Sequence, residues 1–285
     1  MSRARLKNRA LALSQARQFF QDRDILEVDC GALVKRAPID ANIDVIETTE
    51  GFLHTSPEYA MKRLLVQGSG DIFFLGHVYR KGELGRLHNP EFTMAEWYRL
   101  GYSLSEMIQE TCDFLNLFLG KLPIRILSYR KAFEGINVPH RSDWSESENR
   151  HYILSHYIEP NLGKDELTVL TDYPPNEAAL ACVIEKEGHL VAERFEIYHQ
   201  GVELANGYHE SSNALELKNR FVLENEERKR RNLETYLLDE EFLSAMEKGL
   251  PDCCGVSVGF DRTFMLSQKA TRLSQILAYS TLTNN

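Results

Sequence analysis

A chain of 285 residues, 43% of them hydrophobic, is long enough to bury a substantial core in one large domain. A mean hydropathy of -0.36 and the absence of a long apolar run speak against a membrane span, and a net charge of -9 speaks against a surface built throughout for nucleic acid. The five cysteines, odd in number and without CxxC spacing, speak against structural zinc or a disulfide framework and fit a reducing cytoplasm.

The basic N-terminus lacks an apolar h-region and a cleavage signature, so it reads as an amphipathic helix over 4–22 and not as a targeting peptide. Short strands near 26–28 and 43–54 follow, then a helix over 56–67 entered through Ser56-Pro57. Strands at 71–80 and 91–99, joined by a charged loop from Lys81 to Asn89, lead to a helix over 103–119 opened by Ser103 or Ser105. The section 120–165 is less readable, with a polar stretch from His140 to Arg150 and Pro/Asn punctuation. Strands resume near 178–184, 189–198 and 201–207. A helix over 212–231, a Gly-flanked strand at 254–260 and a final helix complete the chain. Helices mixed with mostly antiparallel strands predict an α+β fold in a single domain over 1–285. The basic cluster Lys218, Arg220 and Arg228–Arg231, interspersed with glutamates, reads as a solvated, salt-bridged helix face, the alternative being a docking surface for an acidic partner.

The chemistry concentrates in YRKGELGRLHNPEFTMAEWYR, Tyr79 to Arg99. Strand alternation puts Phe92, Met94, Glu96 and Tyr98 on one face and Glu91, Thr93, Ala95 and Trp97 on the other. Arg80, ending the preceding strand, offers a fork for phosphate or carboxylate. A second arrangement lies in RFEIYHQGVELANGYHE, Arg194 to Glu210. A two-residue turn at His199-Gln200 would set Glu196 directly across from Glu203, where two carboxylates repel unless a cation lies between them. By spacing alone the pair reads equally as two exposed glutamates on a solvated hairpin.

The Tyr79–Arg99 segment resembles motif 2 of class II aminoacyl-tRNA synthetases, and HNPEFTMAEWY is similar to the lysyl branch. TSPEYAMKRLL at Thr55–Leu65 and GVSVGFDR at Gly255–Arg262, which resembles motif 3, stand in the expected order. The region that resembles motif 1, the motif that builds the dimer interface in that family, begins at Ile25, leaving no room for an anticodon-binding domain, so the resemblance extends to the truncated paralogues that ligate (R)-β-lysine to elongation factor P. It implies an ATP- and magnesium-dependent ligase that forms an aminoacyl-adenylate of lysine or (R)-β-lysine, a cytoplasmic homodimer with elongation factor P as acceptor and no tRNA. Left open are a minimal lysine-activating tRNA or amide synthetase and a catalytically silent paralogue that binds lysine or nucleotide.

The same resemblance implies roles. Arg80 and Arg262 are the catalytic arginines, Arg80 on the α-phosphate and Arg262 over adenine. Gly82, His88, Asn89, Phe92, Glu203, Leu204 and Gly259 belong to the ATP site, and Glu196 and Glu203 hold the metal. Ser56, Glu58, Glu96, Tyr98, Asn206, Glu210 and Ser257 form the amino-acid pocket. Gly82 stands where the family has a glutamate that Glu83 would replace, and Gly31 where motif 1 has a proline. Ser257 stands where lysyl-tRNA synthetases have glycine, and its side chain would favour an amino group moved by one carbon.

Overall fold

The computed structural model describes residues 3–138 and 140–278. In chain order, α1 (Arg3–Gln21) precedes β1 (Leu26–Glu27) and β2 (Leu33–Val34). The expected strand over 43–54 is a tight hairpin of β3 (Ile46–Thr48) and β4 (Gly51–Leu53), closed by Thr48 Oγ1 donating to Gly51 O at 2.9 Å. Next come α2 (Glu58–Val66), β5 (Ile72–Tyr79), β6 (Glu91–Leu100) and α3 (Leu104–Leu119). Ser103, not Ser105, caps α3: its hydroxyl accepts from Glu106 N while the Glu106 carboxylate accepts from Ser103 N at 2.8 Å.

The stretch that resisted sequence reading holds β7 (Ile124–Ser128), α4 (Tyr129–Phe133) and α5 (Glu146–Ile153), followed by the unanticipated β8 (Leu167–Tyr173). β8 is buried at nearly every position, so it lacks the alternation that marks a half-exposed strand. The strand expected over 178–184 is confined to β9 (Val183–Lys186), because the chain before it is irregular, with Ala179 at φ 48°. β10 (His189–His199), β11 (Val202–His209), α6 (Ala214–Arg230), α7 (Glu240–Glu247), β12 (Cys253–Gly259) and α8 (Phe260–Ser267) complete the order.

Nine strands form one sheet in the order β1-β5-β6-β12-β11-β10-β8-β7, with β9 on β10, while β2, β4 and β3 form a small second sheet. Pairing is antiparallel except for β1 with β5 and β7 with β8. One face of the large sheet presents Ala95, Trp97, Phe195, Ile197, Val256 and Val258 to α1, α3 and α8, forming a dry core. On the opposite face, α2, α6 and α7 cover the β5 side and α4 and α5 the β8 side. Between these two flanks the sheet carries its polar side chains.

The β10–β11 hairpin corrects one expectation. Its turn is Gln200-Gly201, both at positive φ (51° and 70°), and not His199-Gln200. That turn pairs His199 with Val202 and Tyr198 with Glu203, which already sets Glu203 on the face that carries Glu196 but not opposite it. A bulge at Leu204 then shifts the register so that Glu196 pairs with Asn206. The extra residue brings Asn206 onto the face that carries Glu196 and Glu203.

The basic cluster on α6 is also different in kind. Arg228 is fully buried and binds the carbonyls of Asp40, Ile43 and Glu234 and the Asp44 carboxylate, pinning the loop ahead of β3. Arg220 likewise binds Ala179 O and Ala181 O, so much of the cluster is structural.

Candidate active site

Sheet register builds the site. Glu96 on β6, Ser257 on β12, Asn206 on β11 and Glu196 on β10 are successive cross-strand partners, a straight row over four strands. The adjacent row reads Tyr98, Gly255, Tyr208 and Arg194. Alternation sends the residues between these rows into the core, so a slip of one position would reverse the site.

Toward the other end of these strands lies a cleft with some 530 Å³ of empty space, its open mouth included, within the usual ~300–1,000 Å³ of small-molecule sites. Its lining includes Arg80, His88, Phe92, Glu203, Gly259 and Arg262. Arg80, just beyond β5, carries its guanidinium 5.1 Å from the centre of the Phe92 ring and 3.8 Å from Glu83, and its buried Nε has no hydrogen-bond partner. Arg262, in the first turn of α8, is held from three sides. It donates to Leu87 O at 3.3 Å, to Glu203 O at 3.0 Å and to its carboxylate at 3.3 Å, and lies 2.7 Å from His88 Nε2. Burial and then the Arg262 charge lower the pKa of His88 and keep the ring neutral. Asn89 and Leu204 also line the cleft. Gly82 does not. It turns the chain at φ 78°, where a side chain is strained, and Glu83 faces the cleft in its place. Beneath the arginine, Asp261 is buried between Arg9 of α1 at 2.6 Å and the backbone N–H of Thr93 at 2.8 Å.

Beyond Ser257 the sheet face becomes an acidic pocket. Ser56 Oγ donates to Glu96 at 2.9 Å and accepts from the backbone of Glu58, and Tyr98 OH donates to Glu96 at 3.0 Å. Burial, then the Glu58 charge, pushes Glu96 up to about 8, and burial pushes Glu210 up to about 7. Gly255 leaves the space these groups use, since a Cβ there would stand 2.4 Å from both Glu210 Oε1 and the Tyr98 ring.

Sequence reasoning missed Lys62. Fully buried, it reaches Glu58 at 2.8 Å and Glu210 at 2.7 Å. The Glu58-Lys62 spacing of four in a helix was the available signal. Arg194 was missed too, although alternation with Glu196 would have found it: its guanidinium lies 2.6 Å from Glu196. Glu196 also accepts from Tyr173 OH at 2.6 Å and from Tyr198 OH. A third carboxyl group, Glu159, lies 3.2 Å from the same Tyr198 hydroxyl and is pushed up to about 7 by burial and then by Glu196 and Glu203. Among the described residues no three His, Cys, Asp or Glu side chains stand close enough to cage a metal. Two glutamates on one face beside a cleft for phosphates instead suit magnesium, which takes one or two carboxylates and fills its shell with phosphate and water.

Residues 1–283 match the family model described as tRNA synthetases class II (D, K and N). The chain belongs to the class II tRNA synthetase family. Within this family it is 37% identical to an elongation factor P–(R)-β-lysine ligase of Salmonella gallinarum, covering 96% of this chain and 94% of that protein. It is 38% identical to the ligase of the same name from Haemophilus ducreyi, over 96% and 93%. A Klebsiella pneumoniae ligase stands at 37%, over 96% and 94%. The class II fold thus accounts for the antiparallel sheet and its helical flanks.

Proposed function

We propose that this chain uses ATP to activate (R)-β-lysine, or lysine, as an aminoacyl-adenylate and transfers the acyl group to a lysine side chain of elongation factor P. The observation that carries the reading is the juxtaposition, on one sheet face, of a desolvated acidic pocket and an arginine-lined cleft, in a chain similar over nearly its whole length to ligases of that name. A carboxyl group buried in this way ionises only beside a cation, and an amino acid with two ammonium groups supplies it.

The roles follow from position. Phe92 would lie under the adenine with Arg262 above it, while His88 and Asn89 contact the nucleotide from the loop. Arg80, in the lining of the cleft, would hold both the amino-acid carboxylate and the α-phosphate. Its charge counts most as negative charge builds on phosphorus while the carboxylate attacks in line and pyrophosphate leaves. Glu203 and Glu196 would hold a magnesium ion, which neutralises triphosphate charge. Glu58, Glu96 and Glu210, with Tyr98 and Asn206, would receive the amino groups. The adenylate then acylates the acceptor amine without a protein nucleophile.

Intact mass of unmodified elongation factor P, after incubation with the protein, magnesium-ATP and (R)-β-lysine, tests the reading. One added lysyl unit, lost in Arg80→Ala, is expected. Pyrophosphate exchange without a mass gain would redirect the search to another acceptor, and absence of both would overturn the enzyme reading.

A further inference from the structure

Resting on the reading that the pocket takes a diamino acid, we infer that Lys62 is a specificity-determining positioning residue: a built-in ammonium that fixes the pocket's charge at a deficit of two. Glu96 and Glu210, both buried, and the partly exposed Glu58 bring three carboxyl groups to one pocket, and the buried Lys62 brings one cation. With all of them ionised the surplus is two negative charges, matching the two ammonium groups of the substrate, whose own carboxylate leaves the pocket toward Arg80. A neutral amino acid or a monoamine leaves at least one carboxylate unpaired in a desolvated space, which is the condition under which a site rejects a ligand strongly.

The geometry also shows how one fixed ammonium serves two carboxylates. Lys62 rises from α2 one turn after Glu58, takes its Oε1 at 2.8 Å, and reaches Oε2 of Glu210 across the space between α2 and the end of β11. Glu210 Oε1 is thereby turned over the bare backbone of Gly255, beside the Tyr98 ring, on the substrate's side of the sheet. Glu96 takes no part in this pairing. Its partners are the neutral hydroxyls of Ser56 and Tyr98, so this carboxyl is left to an incoming ammonium, which favours its ionised form. Burial by itself would strip the proton from Lys62, but the Glu210 and Glu58 carboxylates outweigh it and keep the ammonium charged.

Pyrophosphate exchange with Lys62→Ala, Lys62→Met and Lys62→Arg, each checked for folding by circular dichroism, tests the inference. The substrates are (R)-3,6-diaminohexanoate, which is (R)-β-lysine, and its monoamine counterpart 6-aminohexanoate. The wild type should prefer the diamine by a hundredfold or more in kcat/KM. Lys62→Met should raise KM for the diamine at least tenfold with a much smaller change in kcat, because the Glu58 and Glu210 carboxyl groups lose the ammonium that positions them and turn away from the ligand. Methylammonium should restore the KM of Lys62→Ala by entering the space vacated by the side chain, and Lys62→Arg should retain affinity better than Lys62→Met. A folded Lys62→Met with unchanged KM and selectivity, or no response of Lys62→Ala to methylammonium, would overturn the inference and leave Lys62 a purely structural ion pair. A wild type that exchanges pyrophosphate with neither substrate would instead overturn the functional reading beneath it.

Discussion

Arg80 and Arg262 both line the cleft, yet they are held differently. Arg262 is bonded to Leu87, Glu203 and His88, whereas the buried Nε–H of Arg80 has no hydrogen-bond partner among the described residues. A donor left unsatisfied in this way is ready for charge that appears during reaction. Arg80→Ala should therefore lower kcat of pyrophosphate exchange by about 10²–10³, as loss of a preorganised oxyanion donor does. The buried carboxylates make a pH prediction. Glu96 and Glu210, pushed up to about 8 and about 7, hold protons that the unfolded chain, titrating near 4.5, has released. The ligand-free protein thus loses this contribution to stability as pH rises from about 4.5 toward about 8. A diammonium ligand pairs with the ionised forms, so the rise in Tm on adding (R)-β-lysine should be larger at about pH 8.5 than at about pH 6. Equal shifts would contradict this. Ser257 stands between Glu96 and Asn206 in the row and donates to Asn206 O at 3.3 Å. Ser257→Gly should weaken the preference for β-lysine over α-lysine in the exchange assay, and an unchanged ratio would remove Ser257 from the specificity argument.

Elements differed in how far the sequence disclosed them, and the differences have physical causes. The β5–β6 hairpin was legible because its motif alternates cleanly: Trp97 and Ala95 went into the core and Glu96 and Tyr98 to the site, as alternation requires. The α3 start was legible to within two residues, Ser103 or Ser105, and the capping box with Glu106 selects Ser103. β8 was not, since a strand buried on both faces shows no period, and the β10–β11 register was not, since a bulge has no reliable residue signature. The individual site residues came through resemblance more than through pattern, and Lys62 escaped both because a lysine four after a glutamate is ordinarily a surface pair. On β12, Gly255→Ala should fold but raise KM for the diamino acid at least tenfold, as the added methyl displaces the Glu210 carboxylate and the Tyr98 ring. Ser103→Ala is the contrasting case. It should cost about 1 kcal/mol of stability, read as a lower Tm, with KM unaltered.

The molecule places its chemistry on one sheet face and its apolar anchoring on the other, while its N-terminal region leaves apolar surface open. Leu6 and Leu11 of α1 are 45% and 58% exposed, and Leu26 of β1 and Leu33 of β2, at 59% and 52%, lie in the segment that resembles motif 1. We infer that a second copy of the chain covers them, as closed two-fold pairing of one patch would. Light scattering should give a dimer mass, and Leu26→Glu with Leu33→Glu should shift it toward the monomer. An unmodified monomer mass for the parent chain would refute this.

The contact of Asp261 with Arg9 and Thr93 has a further consequence in time. Arg5 bonds Gln275 O across 270 residues, and Thr93 bonds Asp261 across 168. Such distant pairings cost chain entropy before they stabilise anything, so folding of this domain should be slow. They also set its order during synthesis. Until β12 and α8 emerge from the ribosome, Glu96 has no Ser257 beside it, Arg9 has no Asp261 to hold, and the nascent chain has no competent nucleotide site.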